Sequence, residues 1–463
     1  MSPQAILVML LWPGVVFFLF NRFPSQKAVV ISFIVGWLFL PQKTGFILPG
    51  LPDYTRMSAT CYSILIATVI FDFQRFRNYK FSWIDLPIII CSLSPFMASI
   101  SNNLGVYDGL ASSLSQTVRY GFPYLLGRLY LGNFLGMKRL AMAIFVSGLI
   151  YMPLCLYEVI MSPQLHRMVY GFMGQRQFIQ SIRLGGYRPT VFLFHGLSVG
   201  MWMMAATLIG WWFWQSGTLK KVWNIPITFF VAALTVTFIL IKSTGAYIYL
   251  AYGLMVLFST KWLRKKILLI ILIVSISIYL FLGATGQVSG TKGDQFLDLL
   301  SSVISEQRLS SLEFRLDNEE ILVEKALERP IFGWGGWGRN RVYDYNSAGE
   351  LVNISTTDSL WVIQYGINGA LGLISIFATS LLPSLMFVVS KSRYPARFWF
   401  HPKIAPVAVI SVILPIYMLD CTFNNQYNPV FMFLSGGLAG FMVTKPQITL
   451  RKSQPISYLK TIN

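Results

Sequence analysis

Apolar residues gather in blocks along this chain, and short polar or basic pieces separate the blocks. Most blocks are roughly 17–25 residues long, the length a helix needs to cross a hydrocarbon core. The pattern predicts thirteen spans, near residues 3–20, 27–41, 56–72, 85–100, 112–133, 140–160, 190–214, 223–241, 245–260, 266–283, 358–388, 403–421 and 428–444. The second and fourth are short for a crossing. The expected fold class is an all-α polytopic membrane protein of about 12–14 transmembrane helices with two exoplasmic loops. The expected division is 1–160 for N-terminal helices, 161–189 for a basic loop, 190–283 for central helices, 284–357 for a large loop, 358–444 for C-terminal helices and 445–463 for a tail.

The polar pieces set an orientation. The connector 75–80, Lys138-Arg139, Lys220-Lys221, the connector 261–266 and Lys391-Ser392-Arg393 are short and basic, and the tail adds Lys445, Arg451, Lys452 and Lys460. With thirteen spans all of these fall on one face, which the positive-inside rule makes the cytoplasm. The N-terminus is then expected outside, in the periplasm, and the C-terminus inside. The first apolar run, Ala5 to Phe20, has neither a basic leader nor a small-residue cleavage site, so it reads as a retained helix.

Composition agrees. Of 463 residues, 55% are hydrophobic and 12% charged, against about 25% charged in a soluble domain. The formal charge of +19 sits between the apolar blocks, so it argues against a nucleic-acid partner and for the bilayer as partner. The four cysteines, Cys61, Cys91, Cys155 and Cys421, lie inside apolar runs and read as small hydrophobes. The histidines His166, His195 and His401 are scattered, with no metal-ligand spacing, and no cofactor motif is expected.

Chemistry is concentrated in the two loops. The first carries Arg167, Arg176, Arg183 and Arg188 and no acid. Arginine forks suit phosphate or pyrophosphate, and a cationic loop on the exoplasmic side runs against the usual bias. The second loop holds most of the acids. Its residues 296–304 have helical apolar spacing and predict an amphipathic surface helix. Ser310-Ser311-Leu312-Glu313 has the capping-box pattern and predicts a helix start, with Arg329-Pro330 as the stop. Arg315 and Glu319 are four apart, so Arg315 is either a surface ion-pair partner or a ligand contact. Gly333-Trp334-Gly335-Gly336-Trp337-Gly338 satisfies G-x-G-x-x-G but follows a helix, which excludes a dinucleotide fingerprint. It is either a tight connector or a surface where Trp334 and Trp337 stack on sugars. Within spans, Arg119 and Arg128 flank Gly121 and Pro123, which allow a broken helix lining a cleft. Glu158, Arg188, Lys242, Asp358 and Asp420 all fall near span ends on the exoplasmic side.

Three stretches make the chain resemble the O-antigen polymerase/ligase family, which includes exopolysaccharide polymerases. They are Arg183-Leu184-Gly185-Gly186-Tyr187-Arg188-Pro189-Thr190-Val191-Phe192, Glu313-Phe314-Arg315 through Pro330-Ile331-Phe332-Gly333-Trp334-Gly335, and Thr357-Asp358-Ser359-Leu360 through Gly366-Ile367-Asn368-Gly369. The resemblance spans about 180–445 and implies a GT-C-like fold. It implies metal-independent glycosyl transfer at the outer membrane face, with an undecaprenyl-pyrophosphate-linked glycan as donor. Arg188, Arg315, Arg183, Arg176, Arg119 and Lys242 are the residues expected on the pyrophosphate, and Asp358 is the candidate base. A chain-length regulator protein is a partner the resemblance leaves open. Two departures stand out. Ligase-like members have histidine where this chain has Asp358, and the family's Ser-Arg-Gly turn reads Lys242-Ser243-Thr244-Gly245 here. The missing histidine favours a polymerase over a ligase that attaches finished glycan. A flippase for lipid-linked glycan is the third reading, but no internal repeat is visible.

Overall fold

The computed structural model describes residues 2–174, 178–183, 185–287, 306–347, 349–390, 392–425 and 427–444, with only the backbone of 306–312 and 314. Arg176, the predicted surface helix 296–304 and the tail 445–463 lie outside the described residues.

The protein is mostly helical, and eight of its helices are long and apolar enough to cross a membrane. In chain order come α1 (Pro3–Arg22), α2 (Ser25–Phe39), a hairpin of β1 (Gly45–Leu48) and β2 (Leu51–Thr55), α3 (Arg56–Phe71), short α4 (Gln74–Arg77), α5 (Leu86–Ser101), α6 (Val106–Gln116) and α7 (Phe122–Tyr130). Next are α8 (Phe134–Met161), α9 (Leu165–Tyr170), the hairpin β3 (Ile182–Arg183) and β4 (Gly186–Tyr187), α10 (Gly196–Gln215), the hairpin β5 (Lys221–Val222) and β6 (Ile225–Pro226), and α11 (Ile227–Leu240). The chain continues through α12 (Thr244–Phe258), α13 (Ile267–Ala284), α14 (Glu306–Leu327), the hairpin β7 (Tyr343–Tyr345) and β8 (Leu351–Asn353), α15 (Leu360–Val389), α16 (Ala405–Phe423) and α17 (Pro429–Thr444).

A helix stands at each of the thirteen predicted spans. Four of the remaining apolar helices, α2, α3, α11 and α17, are shorter than 18 residues. The fifth predicted span is α6 and α7 joined by a π turn at Thr117–Gly121, so the expected break is a local widening of one helix. The seventh starts later than the apolar run: Thr190 to His195 is a loop, and α10 begins at Gly196. The Ser310–Glu313 box does not start its helix. It lies inside α14, which is already helical from Glu306.

Contacts assign the ends of the helices to two faces. On one, Arg56 Nη1 donates to Trp37 O (3.1 Å), Gln42 Nε2 to Phe192 O (2.9 Å) and Asn102 Nδ2 to Gly333 O (2.8 Å). We call this the loop face. On the other, Arg128 grips Asp85 with two bonds of 2.7 and 2.8 Å and donates to Lys80 O, while Lys266 Nζ binds Val388 O and Tyr394 O. The buried Arg128–Asp85 pair therefore makes Arg128 a structural residue. In the interior, α10 and α16 are central, with 83% and 89% of their apolar windows buried against 28% for α1. The backbones of α7 and α17 touch: a Cβ on Gly127 would meet Phe433 O, and one on Gly436 would meet Tyr124 O. Small residues permit this close packing between apolar helices.

Candidate functional site

The basic loop is held by one carboxylate. Glu158, fully buried on the last turn of α8, accepts the backbone N–H of Leu165 (2.9 Å), Thr190 (2.8 Å) and Val191 (2.7 Å). Its role is to hold the chain beside Arg188, so this acid is not a free participant. His166 is likewise structural: Nε2 accepts from Gln42 N and Nδ1 lies 2.8 Å from Phe172 O.

Arg188 follows the β3–β4 hairpin, and its N–H donates to Ser181 O at 2.7 Å. Its side chain lies across the start of α10, where its Cγ and Cδ occupy the space a Cβ on Gly196 would need. The guanidinium is buried, at 7% exposure. Its Nη2 reaches Lys242 O at 3.5 Å, and its Nε has no hydrogen-bond partner among the described residues. Burial and the neighbouring Arg183 lower its pKa to about 10. Lys242 sits at φ +58° in the turn between α11 and α12, with its ammonium against Gly186. His195 caps α10, Nδ1 accepting Leu197 N–H at 3.1 Å, and its Nε2 lies 3.1 Å from Gln180 Oε1. Arg183, Arg188 and Lys242 thus gather where α10 and α12 both begin. Helix N-termini carry positive dipole ends and favour anions. Among the described residues Arg188 forms no ion pair with a carboxylate, and its electrostatic neighbours are Arg183 and Tyr247.

Arg315 belongs to a second group. The predicted Arg315–Glu319 ion pair does not form. Arg315 Nη1 donates to Phe423 O at 3.3 Å, capping the end of α16, and Glu319 accepts from Tyr279 OH at 3.0 Å. Arg315, Glu319, Asp358, Tyr279 and Phe423 line one cleft beneath α14. Asp358 is exposed there, and Ser359 beside it is buried. Burial raises the Glu319 carboxyl pKa against the opposing pull of Ser359, Tyr279, Trp361 and Arg315. Under the cleft, Asp420 is buried and accepts Asn424 Nδ2 at 2.9 Å, and its Oδ2 has no hydrogen-bond partner among the described residues.

The two groups flank one helix. Arg188 acts electrostatically on Tyr247 and Arg315 on Tyr249. These tyrosines are two residues apart in the first turns of α12 and so point to different faces. The cluster and the cleft therefore lie toward different faces of α12. Arg119 joins neither group. It stands on the π turn with its guanidinium 4.6 Å from the Tyr427 ring, in a different cavity.

The glycine-rich turn is a connector. Trp334 N–H donates to Gly366 O and Gly335 N–H to Ile367 O, while Ala370 N–H returns to Pro330 O. This ladder fills a kink in α15 at Gly369, φ +62°. A Cβ on Gly333 would meet Gly369 N and Ile367 O. Trp334 Nε1 binds Lys325 O, and the ring is covered by Lys325 at 4.0 Å. Trp337 is 81% exposed on a left-handed backbone, φ +65°.

Sequence reasoning missed Glu319 as chemistry, because helical spacing assigned it to Arg315. It missed Arg56, which reads as an ordinary helix start after the Thr55–Ser58 cap. No protein-family model matches the chain, and a comparison with curated proteins finds no match.

Proposed function

We propose that this protein is a glycosyltransferase that polymerises undecaprenyl-pyrophosphate-linked oligosaccharide repeat units at the periplasmic face of an inner membrane. The observation that carries this reading is the buried, under-bonded Arg188 beside Arg183 and Lys242, at two helix N-termini, with no ion pair to a carboxylate among the described residues. A diphosphate is the anion such a site suits: it presents several oxygens to a bidentate fork and to N-terminal dipoles. The resemblance to the O-antigen polymerase/ligase family supports the same reading, including its GT-C-like fold. The basic connectors opposite the loop face support a periplasmic site, an outward N-terminus and a cytoplasmic tail.

In the proposed reaction the bond from the sugar's anomeric carbon to the pyrophosphate oxygen breaks, and a bond to an acceptor hydroxyl oxygen forms. Negative charge grows on the departing pyrophosphate, where Arg188, Arg183 and Lys242 stabilise it. The acceptor's proton goes to a carboxylate in the neighbouring cleft. Asp358 is exposed to that cleft, and Glu319 has the raised pKa of a proton-exchanging group. Trp337 is the exposed ring on which an extending glycan stacks.

The test is gene deletion followed by sizing of lipid-linked glycans, with Arg188→Ala tested for complementation. Accumulation of a single unpolymerised repeat, unrescued by a membrane-inserted Arg188→Ala protein, supports the reading. Normal polymer length in the deletion strain contradicts it.

A further inference from the structure

A cavity of about 1240 Å³ opens on the loop face in the N-terminal half, between the β1–β2 hairpin, α6 and the start of α17. Three of its lining side chains are cations, Lys43, Arg56 and Arg119, against Asp53 as the one carboxylate among the described lining residues. Arg56 is committed to the wall: it is stacked 3.6 Å from the Trp37 ring and donates to Trp37 O and Phe192 O. Arg119 is not. Its guanidinium is exposed into the cavity and has no hydrogen bond or ion pair among the described residues; its contacts are the Tyr120 and Tyr427 rings. It stands on the π turn, and Tyr427 OH bonds its carbonyl oxygen, which keeps the widened turn in shape. Such turns commonly mark functional positions in helices.

The rim has the opposite character. Ile47 is 86% exposed at the hairpin tip, and Tyr107 is 79% exposed on α6, with Leu51 and Leu110 beside them. An apolar rim around a cationic interior matches an amphipathic molecule with an anionic head. Arginine in a membrane-embedded helix, facing a cavity and lacking a carboxylate partner, calls for such an anion.

We infer that this cavity is a second anion site, separate from the Arg188 cluster, that takes the diphosphate headgroup of a lipid in preference to a bulk phospholipid. Arg119 holds the phosphate oxygens. The chain leaves between the hairpin tip and α6. Identifying that lipid as the second lipid-linked glycan of the reaction rests on the polymerase reading; the anion site itself does not. A polymerase that joins two lipid-linked glycans needs both headgroups bound at once, and Arg183, Arg188 and Lys242 are not among the described residues that line this cavity.

The experiment counts bound lipid by native mass spectrometry of the full chain in detergent, with undecaprenyl diphosphate as the probe. The wild type should carry two molecules, Arg119→Gln one, Arg188→Gln one, and Arg119→Lys two. Loss of affinity at the cavity in Arg119→Gln should be roughly tenfold or more, the scale of a lost charge-assisted hydrogen bond. Two molecules retained by Arg119→Gln would overturn the inference. Equal filling by phosphatidylglycerol would reassign the cavity to bulk lipid. Displacement by inorganic pyrophosphate at equal concentration would reassign it to a free anion. Either result overturns the inference. An independent arm attaches a photo-crosslinker at Tyr107→Cys, which labels cleanly because the four native cysteines are buried. Crosslinking to the lipid diphosphate supports the site, and its absence in a folded, labelled protein sinks it. If the wild type binds two lipids yet makes no polymer, the function falls and the cavity stands.

Discussion

Arg188 is the residue on which the proposed chemistry turns. Its guanidinium has five N–H donors, yet its side-chain hydrogen bond among the described residues is 3.5 Å long and its Nε has none. A buried donor left unmade costs about 1–3 kcal/mol, more when charged, so a bound anion would relieve a standing penalty. The carboxylates are the other half. Burial raises the Glu319 carboxyl pKa from its ordinary value. If ionised Glu319 accepts the proton, activity falls as pH drops through that raised pKa, earlier than an unperturbed carboxylate would titrate. Glu319→Gln should then cut turnover about 10²-fold, in line with loss of a general base, and remove the acid limb of the pH–rate profile. Asp358→Asn provides the contrast. If it alone abolishes the limb, the proton acceptor is Asp358. Arg188, Lys242 and Asp358 were legible in sequence because cations and acids at span ends are few. Glu319 was not, because i,i+4 spacing implies a pair and only the packing of α14 on Tyr279 breaks it.

Among the elements, the 162–195 segment shows how a loop without a core of its own is made rigid. One Glu158 carboxylate collects three backbone N–H groups from two distant parts of it. Glu158→Ala would strand those donors and create a new space, so the loop should detach while the helices persist. Limited trypsin digestion should cut at Arg183 several-fold faster in the variant, with the membrane core intact. Unchanged protection would show that the hairpin is held by other contacts. The span pattern was readable as thirteen blocks, since hydropathy is a property of each helix alone. The start of α10 at Gly196 was not, because Thr190 to Phe194 is apolar enough to continue a helix. The acceptance of the Thr190 and Val191 N–H groups by Glu158 makes a loop of it instead. The glycine-rich motif resembled a ligand loop in sequence. Its meaning appears only when Gly333 and Gly369 are seen to share one backbone crossing.

For the whole molecule, the membrane-crossing bundle has basic connectors at one end and both candidate sites, with the large cavity, at the other. A thiol introduced as Arg183→Cys should react with a membrane-impermeant maleimide added to intact cells whose outer barrier is permeabilised, and one at Lys138→Cys should not. The reverse pattern would turn the bundle over and remove the periplasmic site. The division of labour between the two halves was not legible beforehand. Arg119 and Arg188 were both expected on the pyrophosphate, and only the fold puts Arg119 in a cavity that Arg188 does not line.

The most direct test uses purified protein in liposomes supplied with a lipid-diphosphate-linked oligosaccharide and no nucleotide sugar or other energy source. Wild type should extend a single repeat into a ladder resolved on a gel. Arg188→Ala should leave one band, and Arg188→Lys should give a weak, short ladder, since lysine keeps the charge without the fork. A full ladder from Arg188→Ala, or an unextended repeat from correctly folded wild type, would contradict the account.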